Sequence, residues 1–261
     1  LSSAASDVYK RQDDILAIMN YCENNLIRFY SVPHVRNYIK RQLQLELLGE
    51  VPVLSIRTEP LQNPVNRLAK RLFDLTFSSL FLLTIFPFMY LIVGLIIKIT
   101  SPGPIFFKQE RNGENGKIFK CYKFRSMKVN ALSDSLQATK NDPCKTKFGN
   151  FLRKSNLDEL PQFINVFKGE MSIVGPRPHM LKHTEEYSQL INKYMMRHLV
   201  KPGITGWAQV TGYRGETKEL SQMEGRVRRD LWYIENWTFL LDIRIMIKTV
   251  TNMFRGEKNA Y

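Results

Sequence analysis

The sequence predicts a mostly helical α+β fold, in which a hydrophobic helix hairpin separates a small N-terminal α/β fragment from a compact polar domain. Three observations predict this class. An uncharged run extends over Leu75–Ile97. The region after the run shows helical periodicity that only short strand-like runs interrupt. The region before it combines a helical pattern near Ile15–Met19 with an extended run at Val51–Ile56, as expected of a small α/β unit.

The composition excludes one class of protein and leaves several anionic partners open. The 261 residues include 38 Lys and Arg against 24 Asp and Glu, a net charge of +14. A hydrophobic fraction of 44% and an aromatic fraction of 11% exclude an intrinsically disordered chain. The positive charge suits nucleic acid, anionic lipid or a phosphate-rich substrate. Cys22, Cys121 and Cys144 lack the spacing of a disulfide framework or a zinc site.

The uncharged run is long enough to reach across a membrane. It has 23 residues, and a straight helix of that length would measure about 35 Å against a hydrocarbon core of about 30 Å. Pro87 predicts a kink or break near the centre of the run. Lys and Arg flank both ends, and such residues mark the cytoplasmic side. A re-entrant hairpin fits this symmetry better than a straight span, and a buried core helix is the third alternative.

These features divide the chain into three parts. Residues 1–60 are the N-terminal α/β remnant and a linker, residues 61–100 are an amphipathic helix and the re-entrant membrane helix, and residues 101–261 are the compact domain. The elements expected in the compact domain are strands at Ile105–Gln109 and Lys117–Phe124, and helices over Ala131–Lys140, Phe148–Phe167, Met180–His198, Leu220–Asn236 and Trp237–Phe254.

Asp158 and Glu159 are the carboxylate pair with the strongest indication of chemistry. Taken alone, adjacent acidic residues at a helix start commonly have a capping role, here with Ser155 or Asn156 as the cap. The cations just before the pair, and Arg177 in a rigid Gly-Pro-Arg-Pro turn after it, favour a second role. A carboxylate can attack phosphorus, another can hold a divalent cation, and an arginine fork neutralises phosphate oxygens. The set therefore favours phosphate chemistry.

Three further patterns each allow two interpretations. Lys123 and Arg125 alternate with apolar residues and are expected on one face of a strand, either at a site or in solvent. Trp207 follows two glycines and could stack on a base or be buried. The arginines of residues 226–229, followed by Trp and Tyr, indicate a membrane-surface helix or a packed amphipathic helix. The sequence contains no P-loop, G-x-G-x-x-G or G-x-S-x-G motif.

Taken together, these motifs are more specific than any of them alone. Over about Val65–Phe254 the chain resembles the bacterial polyprenyl-phosphate sugar-1-phosphate transferases, which are monotopic phosphoglycosyl transferases. It is most similar to the branch of undecaprenyl-phosphate glucose-1-phosphate transferases, although Tyr213 departs from the residue usual at its position. The motifs that carry the resemblance are SPGP, KFRSM, R-x4-DELPQ, VGPRP, KPGITGWAQV and GYRGET.

The resemblance implies a reaction and roles for residues. A sugar-1-phosphate would pass from a UDP-sugar to undecaprenyl phosphate with release of UMP, and Mg²⁺ would be required. Asp158 would be the nucleophile that forms an aspartyl-phosphosugar intermediate, and Glu159 would be catalytic as the Mg²⁺ ligand. The substrate-binding residues would be Lys123, Arg125, Arg153, Gln162 and Arg177.

The resemblance also implies a location and partners. The compact domain would be the catalytic domain on the cytoplasmic face of the bacterial inner membrane, in contact with its lipids and not with nucleic acid, and would initiate exopolysaccharide or capsule synthesis. Larger members carry upstream transmembrane helices, and the N-terminal fragment resembles the end of their extra domain. Galactose or an N-acetylated sugar, and a homodimer, stay open. The alternative from another class is a non-catalytic basic membrane- or nucleic-acid-binding module, which has no need of the paired motifs.

Overall fold

A computed structural model of the chain describes residues 14–31, 44–48, 51–55, 59–128, 146–215 and 219–255. Helices dominate these residues and the strands are short, which confirms the mostly helical α+β class. The helix expected over Ala131–Lys140 lies outside the described residues.

The N-terminal part is the small α/β unit that the sequence predicts. Helix α1 covers residues 14–24. Strands β1 (Tyr30–Ser31), β2 (Gln44–Leu48) and β3 (Val51–Ser55) form an antiparallel sheet in the order β1-β3-β2. The end of α1 contacts the compact domain at Lys193, whose backbone N–H donates to the Asn24 side chain at 2.7 Å.

The segment that the sequence predicts to be a hydrophobic hairpin consists of two consecutive helices, and the name hairpin denotes this bent helix pair, residues 64–100, from here on. Helix α2 covers Pro64–Thr84, helix α3 covers Phe86–Thr100, and the two are bent by 55° at Ile85. Pro87 lies in the first turn of α3 and cannot donate a backbone hydrogen bond to α2, which accounts for the predicted break. Within the described ranges, no single helix is long and apolar enough to cross a membrane, whereas α2 and α3 together meet that requirement by length and composition.

The hairpin exposes most of its large apolar side chains. Leu83, beside the bend, is 80% exposed. A helix buried in a soluble core would cover such side chains, so the core-helix alternative does not describe this segment. The exposed apolar residues of the pair include Leu68, Leu72, Leu80, Leu83, Phe88, Leu91, Ile92, Leu95 and Ile99.

The compact domain begins with the predicted pair of strands. Strands β4 (Phe106–Asn112) and β5 (Ile118–Phe124) are antiparallel and joined by a tight turn. Asn115 and Gly116 have φ angles of 54° and 74°, a conformation that Asn and Gly adopt more readily than other residues.

Among the other described residues of the compact domain, the regular elements are helices and two three-residue strands that pair in parallel. The elements in chain order are α4 (Lys147–Ser155), α5 (Gln162–Lys168), β6 (Ser172–Val174), α6 (Leu181–Leu190), β7 (Gly203–Thr205), α7 (Trp207–Val210), α8 (Leu220–Glu235) and α9 (Phe239–Arg255).

Two predicted helices are wrong in their extent. The segment Phe148–Phe167 is not one helix but α4, a 3-10 turn and α5. The segment Met180–His198 divides into α6 and a 3-10 helix at Tyr194–Leu199, because Lys193 has a φ angle of 66° that no α-helix accommodates. Helices α8 and α9 match their predicted segments within a few residues.

The core holds the hairpin against the compact domain. One cluster, containing Val166, Val174 and Ile245, also packs against Phe73 and Phe81 of α2. A second cluster joins Val93 and Ile97 of α3 to β5 and α4.

Buried polar bonds reinforce the base of the hairpin. Lys70 of α2 pairs with Asp242 of α9, with Nζ 2.5 Å from Oδ2. Asp74 of α2 accepts hydrogen bonds from the Ser172 hydroxyl at 3.1 Å and the Ile173 backbone N–H at 3.0 Å. The hairpin is therefore fixed to β6, the strand that precedes the Arg177 turn.

Candidate active site

The predicted carboxylate pair lies on a tight turn rather than on a helix. Helix α4 ends at Asn156, whose φ angle is 59°, and a single 3-10 turn, Leu157–Glu159, follows. Asn tolerates this left-handed conformation better than most residues. The Asn156 side chain makes no capping bond to the 3-10 turn and the Ser155 hydroxyl donates back to α4, so the predicted capping role is wrong. Asp158 is 8% exposed.

Two cations converge on Glu159. Arg177 makes a two-point contact with its carboxylate, with Nη2 2.6 Å from Oε1 and Nη1 3.1 Å from Oε2. Lys123 of β5 donates from Nζ to Oε1 at 2.7 Å. Burial by itself raises the pKa of Glu159, but the charges and hydrogen bonds of Arg177 and Lys123 outweigh it and hold that pKa well below its ordinary value. Glu159 is therefore an ionised, anchored carboxylate.

Asp158 has a different environment. It has no hydrogen-bond partner among the described residues. Burial raises its pKa to about 6, the Glu159 charge adds to that rise, and the charges of Lys123, Arg153 and Arg177 oppose it. The group is a weakly solvated carboxylate that is ionised above about pH 6.

Of the other predicted site residues, Arg153 lies near Asp158, Gln162 lies in the helix that follows the carboxylate pair, and Arg125 has its bonding partners elsewhere. Arg153 lies near enough to affect the pKa of Asp158, while its Nε donates to the Ser126 hydroxyl at 2.9 Å. Gln162 is buried in the first turn of α5. Arg125, the residue after β5, makes no hydrogen bond to Asp158 or Glu159 within the described residues. Its guanidinium donates instead to the carbonyls of Ser101 and Pro102, at 2.5 and 2.8 Å.

The carboxylate pair is compatible with a magnesium ion that is shared with a substrate. Within the part of the chain that the structure describes, no group of three His, Cys, Asp or Glu side chains could hold a metal ion. Mg²⁺ commonly binds through one or two carboxylates together with substrate phosphates and water, so it does not require such a group. From the residues that the structure describes, Glu159 Oε2 accepts one hydrogen bond, from Arg177, and a carboxylate oxygen can accept a second interaction.

Comparison with known proteins places this site in a family. A family model described as "Bacterial sugar transferase" matches residues 65–256, which include the hairpin and the whole carboxylate site. The chain belongs to the bacterial sugar transferase family.

Three relatives refine this assignment. A UDP-glucose:undecaprenyl-phosphate glucose-1-phosphate transferase of Escherichia coli (strain K12) is 52% identical over 88% of this chain and 49% of its own length. A protein of the same name from Xanthomonas campestris pv. campestris is 45% identical over 96% of this chain and 52% of its own length. An exopolysaccharide production protein PSS of Rhizobium leguminosarum bv. phaseoli is 44% identical over 72% of this chain and 96% of its own length. The chain therefore spans about half the length of the first two relatives.

The structure distinguishes between the two interpretations for two of the sequence patterns, Trp207 and the arginines of residues 226–229. Trp207 stacks on Trp232 with a centroid separation of 5.0 Å, so one face of its ring is covered by the protein. Arg226 donates to the Tyr213 carbonyl at 3.1 Å, and Arg229 lies 4.5 Å from the centre of the Tyr213 ring. The packed interpretation therefore describes both patterns better than base stacking or a membrane-facing arginine row.

Sequence reasoning missed other residues around the site. Arg214 of the GYRGET motif donates to the Asn156 side chain, two residues before Asp158. Gly225 of α8 lies against the Tyr213 ring, where a Cβ would come within 2.2 Å of it. The GYRGET motif was the available signal. Arg197 and Asp230, which pair behind the Arg177 turn, have no such motif, because an isolated charged residue in a helical pattern is normally a surface residue.

Proposed function

We propose that the chain transfers glucose-1-phosphate from UDP-glucose to undecaprenyl phosphate, releases UMP and so initiates exopolysaccharide or capsule synthesis. The observation that carries the proposal is the pairing of two buried carboxylates: Asp158, which has no hydrogen-bond partner among the described residues, and Glu159, which Arg177 and Lys123 hold ionised. The names of the two transferases that this chain resembles at 52% and 45% identity support the choice of substrates.

In the first step of the proposed mechanism, an Asp158 oxygen attacks the phosphorus that bears the glucose. A bond forms between that oxygen and phosphorus, the bond from phosphorus to the oxygen of UMP breaks, and UMP leaves with the electron pair. Burial assists the attack because few solvent contacts must be removed from the carboxylate. Arg177 and Lys123 both bind Glu159, the neighbour of Asp158. Their positive charges would therefore attract the diphosphate to the carboxylate pair.

In the second step, a phosphate oxygen of undecaprenyl phosphate attacks the phosphorus of the aspartyl-phosphosugar. The new bond gives a polyprenyl diphospho-sugar and the Asp158 carboxylate leaves unchanged. Glu159 would hold Mg²⁺, which when bound supplies positive charge to the phosphate oxygens. The cations around the pair limit repulsion between two anionic substrates and two carboxylates.

The hairpin is proposed to be a re-entrant membrane anchor with both ends on the cytoplasmic face of the inner membrane. The bend between α2 and α3, the exposed apolar side chains on both helices and the Lys and Arg on both flanks support this topology. A shallow anchor suits a reaction between a lipid phosphate and a soluble nucleotide sugar. Cysteine labelling from one side of the membrane tests it: positions before Leu75 and after Ile97 should react together, and labelling from opposite sides would contradict the topology.

A panel of UDP-sugars tests the reaction and its substrate together. Purified chain with undecaprenyl phosphate and Mg²⁺ should release UMP from UDP-glucose faster than from UDP-galactose or the UDP-N-acetyl sugars. Faster release from one of the latter would correct the sugar and keep the reaction. Absence of UMP release from every sugar would contradict the proposed function and favour a binding module.

A further inference from the structure

The turn that carries Arg177 is held from behind by a second arginine. Arg197 belongs to the 3-10 helix Tyr194–Leu199, and its side chain is only 1% exposed. Its Nη2 donates to the backbone carbonyl of Arg177 at 2.9 Å, and its Nη1 donates to His179 Nδ1 at 2.5 Å. One guanidinium therefore fixes the residues on both sides of Pro178.

Asp230 of α8 fixes that guanidinium in turn. Its Oδ2 accepts a hydrogen bond from Arg197 Nη2 at 2.7 Å, and the pair is almost completely buried. The Tyr194 hydroxyl lies 2.6 Å from the same His179 nitrogen. Because the planar fork of arginine has a fixed geometry, a single acceptor at one edge sets the direction of its other donors. The Arg177 turn is thereby joined to α8.

The backbone of this turn has little other support. The β6–β7 pairing continues as far as Pro176, whose carbonyl accepts from the Gly203 N–H at 2.9 Å. Pro176 and Pro178 have no N–H to donate. The Pro178 carbonyl accepts a longer bond of 3.2 Å from Arg111. Arg197 therefore supplies the bond that acts on Arg177 itself.

Stability alone does not account for the buried pair. Removing two charges from water is costly, and apolar residues of similar volume are often as stabilising or more so. Arg197 Nε and His179 Nε2 are also buried without a hydrogen-bond partner among the described residues, which is a further cost. An apolar pair could fill the space but could not donate to the Arg177 carbonyl.

We propose that Arg197 and Asp230 are positioning residues of the transfer reaction, which hold the Arg177 backbone so that its guanidinium faces Glu159. Neither acts on the substrate directly; both act through Arg177. The proposal rests on the proposed function, since the role of Arg177 is measured by UMP release.

A double-mutant cycle tests whether Arg197 acts through Arg177. Arg197→Lys keeps a positive charge beside Asp230 but loses the fork, and it should lower kcat for UMP release about 10-fold, the scale expected of a displacement below 1 Å at a catalytic group. In an Arg177→Ala background the same substitution should have almost no further effect. Asp230→Asn, which keeps the shape of the side chain, should give the same pattern and serves if Arg197→Lys does not fold.

Val227→Ala is the matched control for damage to folding. Val227 is buried on α8, one turn before Asp230, in the cluster that includes Tyr194. This variant should lower Tm but leave kcat per folded molecule unchanged. Equal losses of kcat with and without Arg177, or a loss in Arg197→Lys no larger than in Val227→Ala, would overturn the positioning role alone. A wild-type chain that releases no UMP would overturn the proposed function instead.

Discussion

Two buried aspartates, Asp158 and Asp242, show how the same side chain can be reactive in one place and structural in another. Asp242, at the base of the hairpin, accepts hydrogen bonds from Lys70 at 2.5 Å, Tyr233 at 2.7 Å and Trp237 at 3.0 Å. Asp158 is also buried but has no hydrogen-bond partner among the described residues. The nearby cations affect Asp158 through their charge and not through hydrogen bonds, and Lys123 lowers its pKa more than Arg153 or Arg177 does.

The difference indicates where a ligand can bind. The acceptors of Asp242 are already used by three donors, so the group serves to join α2, α8 and α9. The Asp158 oxygens accept no hydrogen bond from the described residues, and the 8% exposure of the residue leaves them few contacts with water. The free energy that this costs in folding is consistent with a group selected for reaction, since functional sites commonly retain such groups.

The largest effect is expected from Asp158→Asn. The amide cannot attack phosphorus, so UMP release should fall by about 10³-fold or more. Because an unbonded carboxylate is removed, Tm should be equal to or above that of the wild type. Turnover at the wild-type rate in this variant would contradict the role of Asp158 as the nucleophile.

Asp242→Asn should have the opposite profile. It removes the carboxylate charge that pairs directly with the buried Lys70 and leaves Asp74 as the nearby carboxylate, so the free energy of unfolding should fall by about 3 kcal/mol. Transfer per folded molecule should be largely retained. Unfolding of the protein in detergent, monitored by intrinsic fluorescence, measures the free energy of unfolding, and UMP release measures transfer. An Asp242→Asn variant that is as stable as the wild type but inactive would contradict the assignment of a structural role to Asp242 and a reactive role to Asp158.

Arg177→Ala removes one of the two cations that are bonded to Glu159. Losing a charged group that neutralises phosphate oxygens should lower kcat about 10²-fold. Arg67→Ala, which removes the exposed ion pair of Arg67 with Glu114, provides the control and should leave kcat unchanged. Comparable losses in the two variants would mean that the effect of Arg177 is not local.

The pH dependence of transfer should follow Asp158. Its pKa is raised to about 6, chiefly by burial, so the carboxylate is protonated below that pH and kcat should fall about tenfold for each pH unit on the acid side. In Arg177→Ala this acid-side fall in kcat should move to higher pH, because a charge that lowers the pKa of Asp158 is lost. If the fall stays at the same pH or moves to lower pH, the group that causes it is not Asp158.

Much of the site could be predicted from the sequence, because its main residues lie in short motifs. Contiguous residues are enough to predict the Asp158–Glu159 pair and the Arg177 turn, and Pro87 predicts the bend of the hairpin. The 3-10 turn could not be predicted, since it depends on one residue, Asn156, adopting a left-handed conformation within an otherwise helical pattern.

Long-range contacts account for most of what the sequence did not predict. Arg197 and Asp230 are separated by 33 residues and carry no pattern that pairs them. Strand alternation predicts Arg125 on the same face as Lys123, but the Arg125 guanidinium is bonded to the Ser101 and Pro102 carbonyls, in the loop between α3 and β4. Periodicity describes regular elements, so it is least informative where an element stops.

The most direct test of the central claim is a single-turnover experiment without acceptor. The wild-type chain with UDP-glucose and Mg²⁺, but no undecaprenyl phosphate, should release UMP in a burst approaching one equivalent, and mass spectrometry should locate a glucosyl-phosphate adduct on Asp158. Addition of undecaprenyl phosphate should then discharge the adduct. Full turnover with both substrates, but neither burst nor adduct without the acceptor, would contradict the covalent role of Asp158.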